Sequence, residues 1–203
     1  MSSISEKLIN KISSKDAKIG IIGMGYVGIP LGLEFANQGF TVLGFDKDEK
    51  RVEDINAGNK VMKHIKQEDM QNFIARKGRA TTKFSKLADM NCLIICVPTP
   101  LDIHEQPDMN YVKAASNKIS KNMRKGQLII LESTTYPGTT KELVKPTVKL
   151  PKHSLSNTNF NKKNNLSEKK TLFSIYFESL KKWLIKNYLR NNCVCFSLLQ
   201  KNN

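Results

Sequence analysis

Short apolar runs and helically spaced segments alternate along the first three quarters of this chain. "KIGIIG" (Lys18–Gly23) is an apolar run ending in glycine and predicts a buried strand. "YVGIPLGLEFANQG" then takes helical spacing and stops at Gly39, with Pro30 in the first turns, where a missing N–H costs least. "FTVLGFD" predicts a second strand ending at Asp46. "DEKRVEDINAGN" and "KQEDMQNFIARKG" predict helices closed by Gly58 and Gly78. "ATTKF" is a short strand, "SKLADM" a helical turn with Ser85 as a candidate N-cap, and "NCLIICVP" a strand stopped by Pro98. "DMNYVKAASNKISKNMRKG" predicts a helix, "GQLIILES" a fifth strand, and "GTTKELVKP" the start of a further helix. Strands that are apolar throughout, each followed by a helix, call for a parallel sheet covered on both faces. The expected fold class is α/β, a Rossmann-like doubly wound parallel sheet.

The rhythm stops at Lys149. "KLPKHSLSNTNFNKKNNLSEKK" is polar and aperiodic and reads as loop or disorder. Within 172–189 one helical stripe recurs, through Phe173, Phe177, Leu180, Leu184 and Tyr188. Three segments follow: a helical extension at 1–16, the alternating Rossmann-like domain at 17–148, and an irregular basic tail at 149–203.

Composition sharpens that division. Of 203 residues, 1–148 carry 22 Lys and Arg against 16 Asp and Glu, whereas 149–203 carry 11 against 2. All 11 glycines lie within 17–148. The net charge of +15 raises the question of nucleic acid, but the charge accumulates where the ordered pattern fails, so no nucleic-acid partner is expected. The polar N-terminus is no secretory signal, and no apolar run reaches the ~18 residues of a membrane span. The expected compartment is the cytoplasm. Cys92 and Cys96 fall on one face of a buried strand and read as core. Cys193 and Cys195 form a lone C-x-C, and His64, His104 and His153 are scattered, so no metal site is expected.

Three strand ends carry candidate chemistry. "GMGYVG" (Gly23–Gly28) has the G-x-G-x-x-G spacing between a strand and a helix, so a pyrophosphate could rest on the helix N-terminus. Gly23 permits the turn, Gly25 lets backbone approach phosphate, and Gly28 lets the helix pack against the sheet. Asp46 follows ~20 residues later, where a carboxylate accepts from both ribose hydroxyls and repels a 2′-phosphate. NAD is therefore favoured over NADP, with Lys47 and Arg51 softening the preference. "CVPTP" offers Thr99 at the exit of the fourth strand, to a ribose or nicotinamide or merely as part of a proline-stiffened loop. "ESTTYPGTT" offers Ser133 or Thr134 to the cofactor or to a water; an N-capping cluster is the alternative.

Taken together, "KIGIIGMGYVGIPLGLEFANQGFTVLGFDKDEKRVEDINAG", "IICVPTPLD", "QPDMNYV" and "GQLIILESTTYPGTT" resemble the NAD-binding domain of the UDP-glucose/GDP-mannose dehydrogenase family. The resemblance covers about residues 17–148 and is greatest to the branch acting on UDP-N-acetylhexosamines, such as UDP-N-acetyl-glucosamine 6-dehydrogenase. It implies oxidation of a nucleotide-sugar C6 alcohol to a carboxylate with two NAD+, through a cysteine-bound thiohemiacetal and thioester. It also implies that the loop at Gly23, Gly25, Tyr26, Val27 and Gly28 meets the pyrophosphate and Asp46 the adenosine ribose, with Arg51 near the adenosine end. Thr99 and Thr134 lie toward the nicotinamide, Thr134 also matching a threonine that positions water.

After "PGTTKELVKPTV" the family pattern of a sixth strand, a glutamate-bearing segment, a Lys/Asn pair and a glycine-rich Cys loop does not continue. "RNNCVCFSLL" lacks the glycines and Asp of that loop, so the nucleophile is not transferred to Cys193 or Cys195. The tail looks like an out-of-frame or replaced C-terminus, leaving an exposed sheet edge and an NAD-binding part without turnover of its own. A split enzyme completed by a second chain, a homodimer, and a binding module with a basic tail are the alternatives. A UDP-sugar would be a partner only if the missing domain were supplied.

Overall fold

The computed structural model describes residues 4–101, 103, 105–133, 135–136, 138–148 and 197–199. Helix α1 (Ile4–Ser13) leads into β1 (Lys18–Ile22), α2 (Gly28–Asn37) and β2 (Thr41–Phe45). Then come α3 (Glu49–Asn56), α4 (Gln67–Ala75), β3 (Arg79–Thr81), a 3-10 turn (Phe84–Asp89) and β4 (Cys92–Ile95). Helix α5 (Asn110–Asn122) and β5 (Leu128–Leu131) precede a π-helical turn (Thr140–Val144) that runs into α6 (Lys145–Thr147). A final strand, β6, is Ser197–Leu199.

The sheet order is β3-β2-β1-β4-β5-β6. The first five strands are parallel, in the arrangement of a Rossmann-like sheet. The pattern of uninterrupted apolar runs has a direct cause here. Ile19 and Ile21 of β1, Cys92 and Ile94 of β4, and Leu128 and Ile130 of β5 enter one core with α2 and α4. Their neighbours Ile22, Leu93, Ile95, Ile129 and Leu131 enter a second core with α5 and the 3-10 turn. Both faces are covered, so successive side chains must all be apolar. Helix α1 adds Leu8 to the first core, with Ile12 packed against it.

The structure departs from the sequence expectations at several points. The far edge of β5 is not bare: β6 pairs antiparallel with it, Ile129 opposite Leu199 and Leu131 opposite Ser197. Ser85 caps nothing, because the 3-10 turn starts one residue earlier, with Lys83 at its N-cap and no side-chain cap bond. At the end of α4 it is Lys77, not Gly78, that takes the left-handed conformation (φ 64°). Gly78 instead leaves room for the Phe73 ring, which occupies the place of a Cβ. The 172–189 stripe, Cys193, Cys195, His104 and His153 lie outside the described residues. No helix among the described residues is long and apolar enough to cross a membrane.

Candidate cofactor site

Four of the five parallel strands, β1, β2, β4 and β5, extend their ladders by one residue at the carboxyl end, and those residues form the edge over which a ligand would lie. The N–H of Gly23 donates to Phe45 O (2.8 Å), that of Cys96 to Ile22 O (2.8 Å), and that of Glu132 to Ile95 O (2.9 Å). The N–H of Asp46 reaches Thr81 O at 3.2 Å. The crevice of a doubly wound sheet opens where helices leave in opposite directions from neighbouring strands, here between β1 and β4.

The glycines have separate duties. Gly23 has φ +96°, and a Cβ there would stand 2.6 Å from the Cys96 carbonyl oxygen, so position 23 excludes a side chain twice over. A Cβ at Gly28 would overlap the Gly23 carbonyl and press on Ile21, which is how α2 starts so close to β1. Gly25 differs: nothing lies within 4 Å of an added Cβ, so its backbone faces open space. Met24, 1% exposed, turns inward and packs over Gly44. Tyr26 is exposed and stacks on His64, ring centroids 5.7 Å apart and planes within 16°. Val27, at the N-cap of α2, provides no side-chain cap; with the Ile29 N–H donating to Gly25 O (3.1 Å) and Pro30 having none, the N–H groups of Val27 and Gly28 are the ones left at the helix start.

Asp46 is buried at the carboxyl end of β2. Its Oδ2 accepts from the Met24 N–H at 2.9 Å, and its Oδ1 from the Asp48 N–H at 3.1 Å. Arg51 Nη1 lies 3.3 Å from the same Oδ2, and Asp48 accepts from the Arg51 N–H at 3.1 Å, starting α3. A carboxylate has about four lone-pair positions, and the Met24, Asp48 and Arg51 donors take three, so Asp46 retains capacity for one ribose hydroxyl. An open phosphate cradle, an uncapped helix start and a fixed acid at the next strand end fit a dinucleotide such as NAD.

The other two strand ends are tied together. The Ser133 hydroxyl donates to Val97 O at 2.7 Å and is buried, so it clasps the β4 exit rather than facing a ligand. Thr139 likewise donates to Tyr136 O (2.7 Å), and no side chain caps the π-helical turn, so neither hydroxyl plays the N-capping part. Thr99 is half-buried on the strand exit, while Thr134 lies outside the described residues. Asp108 donates its N–H to Pro100 O, and Leu101 bridges to Pro107, closing the loop that carries Thr99. Sequence reasoning missed Glu132, a buried acid beside Cys96; its only signal was a charge ending the apolar run "LIIL".

Neither described cysteine has the character of a nucleophile. Burial pushes the Cys92 thiol up to about 12. Burial, with the Glu132 carboxylate adding to it, holds Cys96 well above its ordinary value. Among the described residues no cluster of three His, Cys, Asp or Glu could hold a metal ion.

Residues 17–166 match the UDP-glucose/GDP-mannose dehydrogenase family, NAD binding domain. The chain belongs to that family. Among relatives, the UDP-N-acetyl-D-glucosamine 6-dehydrogenase of Pseudomonas aeruginosa is 38% identical over 128 residues, 63% of this chain and 30% of the relative. Of solved structures, the NDP-N-acetyl-D-galactosaminuronic acid dehydrogenase of Methanosarcina mazei Go1 superposes with TM-score 0.63 at 31% identity, covering 73% of this chain and 34% of that one. The UDP-D-ManNAc dehydrogenase of Pyrococcus horikoshii gives TM-score 0.60 at 31% identity, covering 64% and 31%. The chain thus spans about 30% of the length of the curated relatives it matches.

Proposed function

We propose that this chain binds NAD+ at the carboxyl edge of its sheet and serves as the cofactor part of a nucleotide-sugar 6-dehydrogenase. The observation that carries the reading is the buried Asp46 carboxylate hydrogen-bonded to the glycine loop, which sets a ribose acceptor beside an open phosphate cradle. The pyrophosphate would rest at Gly25, Tyr26 and Val27, the adenosine ribose on Asp46, and the nicotinamide toward Thr99 and Thr134. When bound, the nicotinamide supplies the hydride acceptor for alcohol oxidation. This chain's residues orient the dinucleotide and hold its ribose at the sheet edge.

The substrate class favoured is a UDP-N-acetylhexosamine, on the strength of relatives named for such sugars. The raised, buried thiols of Cys92 and Cys96 support a reading in which neither captures the aldehyde. Oxidation would then need a nucleophile from the part of the relatives that this chain does not match. Calorimetric titration of the full chain with NAD+ tests the binding claim, and saturable one-to-one binding is expected. Incubation with NAD+ and UDP-N-acetylglucosamine tests the second claim. NADH formation by the chain alone would overturn it; formation only after adding the missing portion of a relative would support it.

A further inference from the structure

Arg51 sits in the first turn of α3, close behind the acid that ends β2. An arginine in that neighbourhood is a ready partner for a ribose 2′-phosphate, because its planar fork matches phosphate oxygens. In this fold the guanidinium is already engaged. Nη1 lies 3.3 Å from Asp46 Oδ2 and Nη2 lies 3.8 Å from Asp48 Oδ2. Asp48 is fixed in turn, since its N–H donates to Asp46 Oδ1 (3.1 Å) and its own Oδ1 accepts from the Arg51 N–H (3.1 Å). The three residues form a closed ring of contacts on the turn between β2 and α3. The neighbouring cation, Lys47, has its ammonium over the Tyr111 ring, 5.7 Å from the centroid.

We propose that Asp48 is a positioning residue for cofactor choice: it holds Arg51 folded against Asp46 and so keeps the guanidinium from a 2′-phosphate, favouring NAD+ over NADP+. The inference rests on the reading that Asp46 faces the adenosine ribose. Its physical basis is competition. A 2′-phosphate can recruit Arg51 only by displacing two carboxylates, one buried and one about half exposed, while also approaching the Asp46 charge. Removing the Asp48 charge leaves Arg51 with a single carboxylate partner and makes its fork available.

The test is calorimetric titration of the full chain and its Asp48→Asn variant with NAD+ and with NADP+, at one fixed low salt concentration. Asparagine retains the N-cap acceptor, so α3 keeps its start while the charge is lost. The expected result is a ratio of NADP+ to NAD+ dissociation constants about three- to tenfold lower in D48N, from one released charge-assisted contact at a half-exposed site. Adding Arg51→Ala to that variant should abolish the gain. Asp48→Ser, another capping residue, serves if D48N misfolds and should shift the ratio in the same direction. An unchanged ratio in a variant that still binds NAD+ overturns this inference alone. Failure of the unaltered chain to bind NAD+ overturns the cofactor reading and this inference with it.

Discussion

The Asp46 carboxylate accepts the Met24 N–H at 2.9 Å, so the end of β2 is fastened to the glycine loop that leaves β1. The bond is buried and spans 22 positions of sequence. One side chain thereby shapes the glycine loop and, on the proposed reading, would also supply the ribose acceptor. Asp46→Ala should lower stability by about 1–3 kcal/mol, because the Met24 N–H loses a buried charged partner. It should also lower NAD+ affinity by at least tenfold, roughly the loss of one charge-assisted hydrogen bond. Urea denaturation and calorimetric titration read the two effects separately.

The glycine loop offers a paired comparison. Gly23→Ala must accommodate a positive φ and a clash with Cys96 O, and should cost about 2 kcal/mol or more. Gly25→Ala meets nothing within 4 Å and should leave the denaturation midpoint close to that of the unaltered chain. It should nevertheless weaken NAD+ binding, since the added methyl would stand where phosphate approaches. A Gly25→Ala variant that binds NAD+ as tightly as the unaltered chain would contradict the assigned cradle.

Ser133 should behave as a clasp and not as a ligand contact. Its hydroxyl is committed to Val97 O, so Ser133→Ala is expected to cost about 1 kcal/mol of stability. NAD+ affinity should stay within about twofold, a shift smaller than the loss of even one ordinary hydrogen bond. Titration of the variant decides between this role and direct contact with the cofactor.

Cys92 fixes the sign of one pH effect. Its thiol titrates near 9.0 when unperturbed and about 12 in the fold, so the neutral form is favoured by burial. Its contribution is fully present below pH 9 and is lost as pH rises toward 12, because only the unfolded chain ionises early. The unaltered chain should therefore lose up to about 1.4 kcal/mol per pH unit more than Cys92→Ala across that window. Denaturation at matched pH values measures the difference in slopes. Thiol reagents at pH 8 should modify Cys92 and Cys96 only after unfolding.

Much of this was legible in the sequence because it is local. The continuous apolar runs of β1, β4 and β5 follow from a sheet covered on both faces, and the strand–glycine–helix order of Gly23–Gly28 needs only neighbouring residues. Asp46 was legible too, since its place depends on the length of one βα unit. Gly78 and Ser85 were misread because their roles hang on the Phe73 ring and on where a 3-10 turn begins. The bond from Ser133 to Val97 was not legible, because its partner lies on the exit of another strand.

The sequence by itself therefore determined the alternation of elements, the parallel sheet and the cofactor motif, all set by periodicity and short-range turn chemistry. Only the tertiary structure decided what those residues do to one another. It put Asp46 on the Met24 N–H, folded Arg51 between two carboxylates, and paired Ser197–Leu199 with β5. Such contacts depend on distances between strand ends and on buried hydrogen-bond partners, which no periodicity along the chain encodes. "GMGYVG" carries the phosphate-cradle motif; the proposed choice of cofactor rests on how Asp46, Asp48 and Arg51 meet across the turn from β2 into α3.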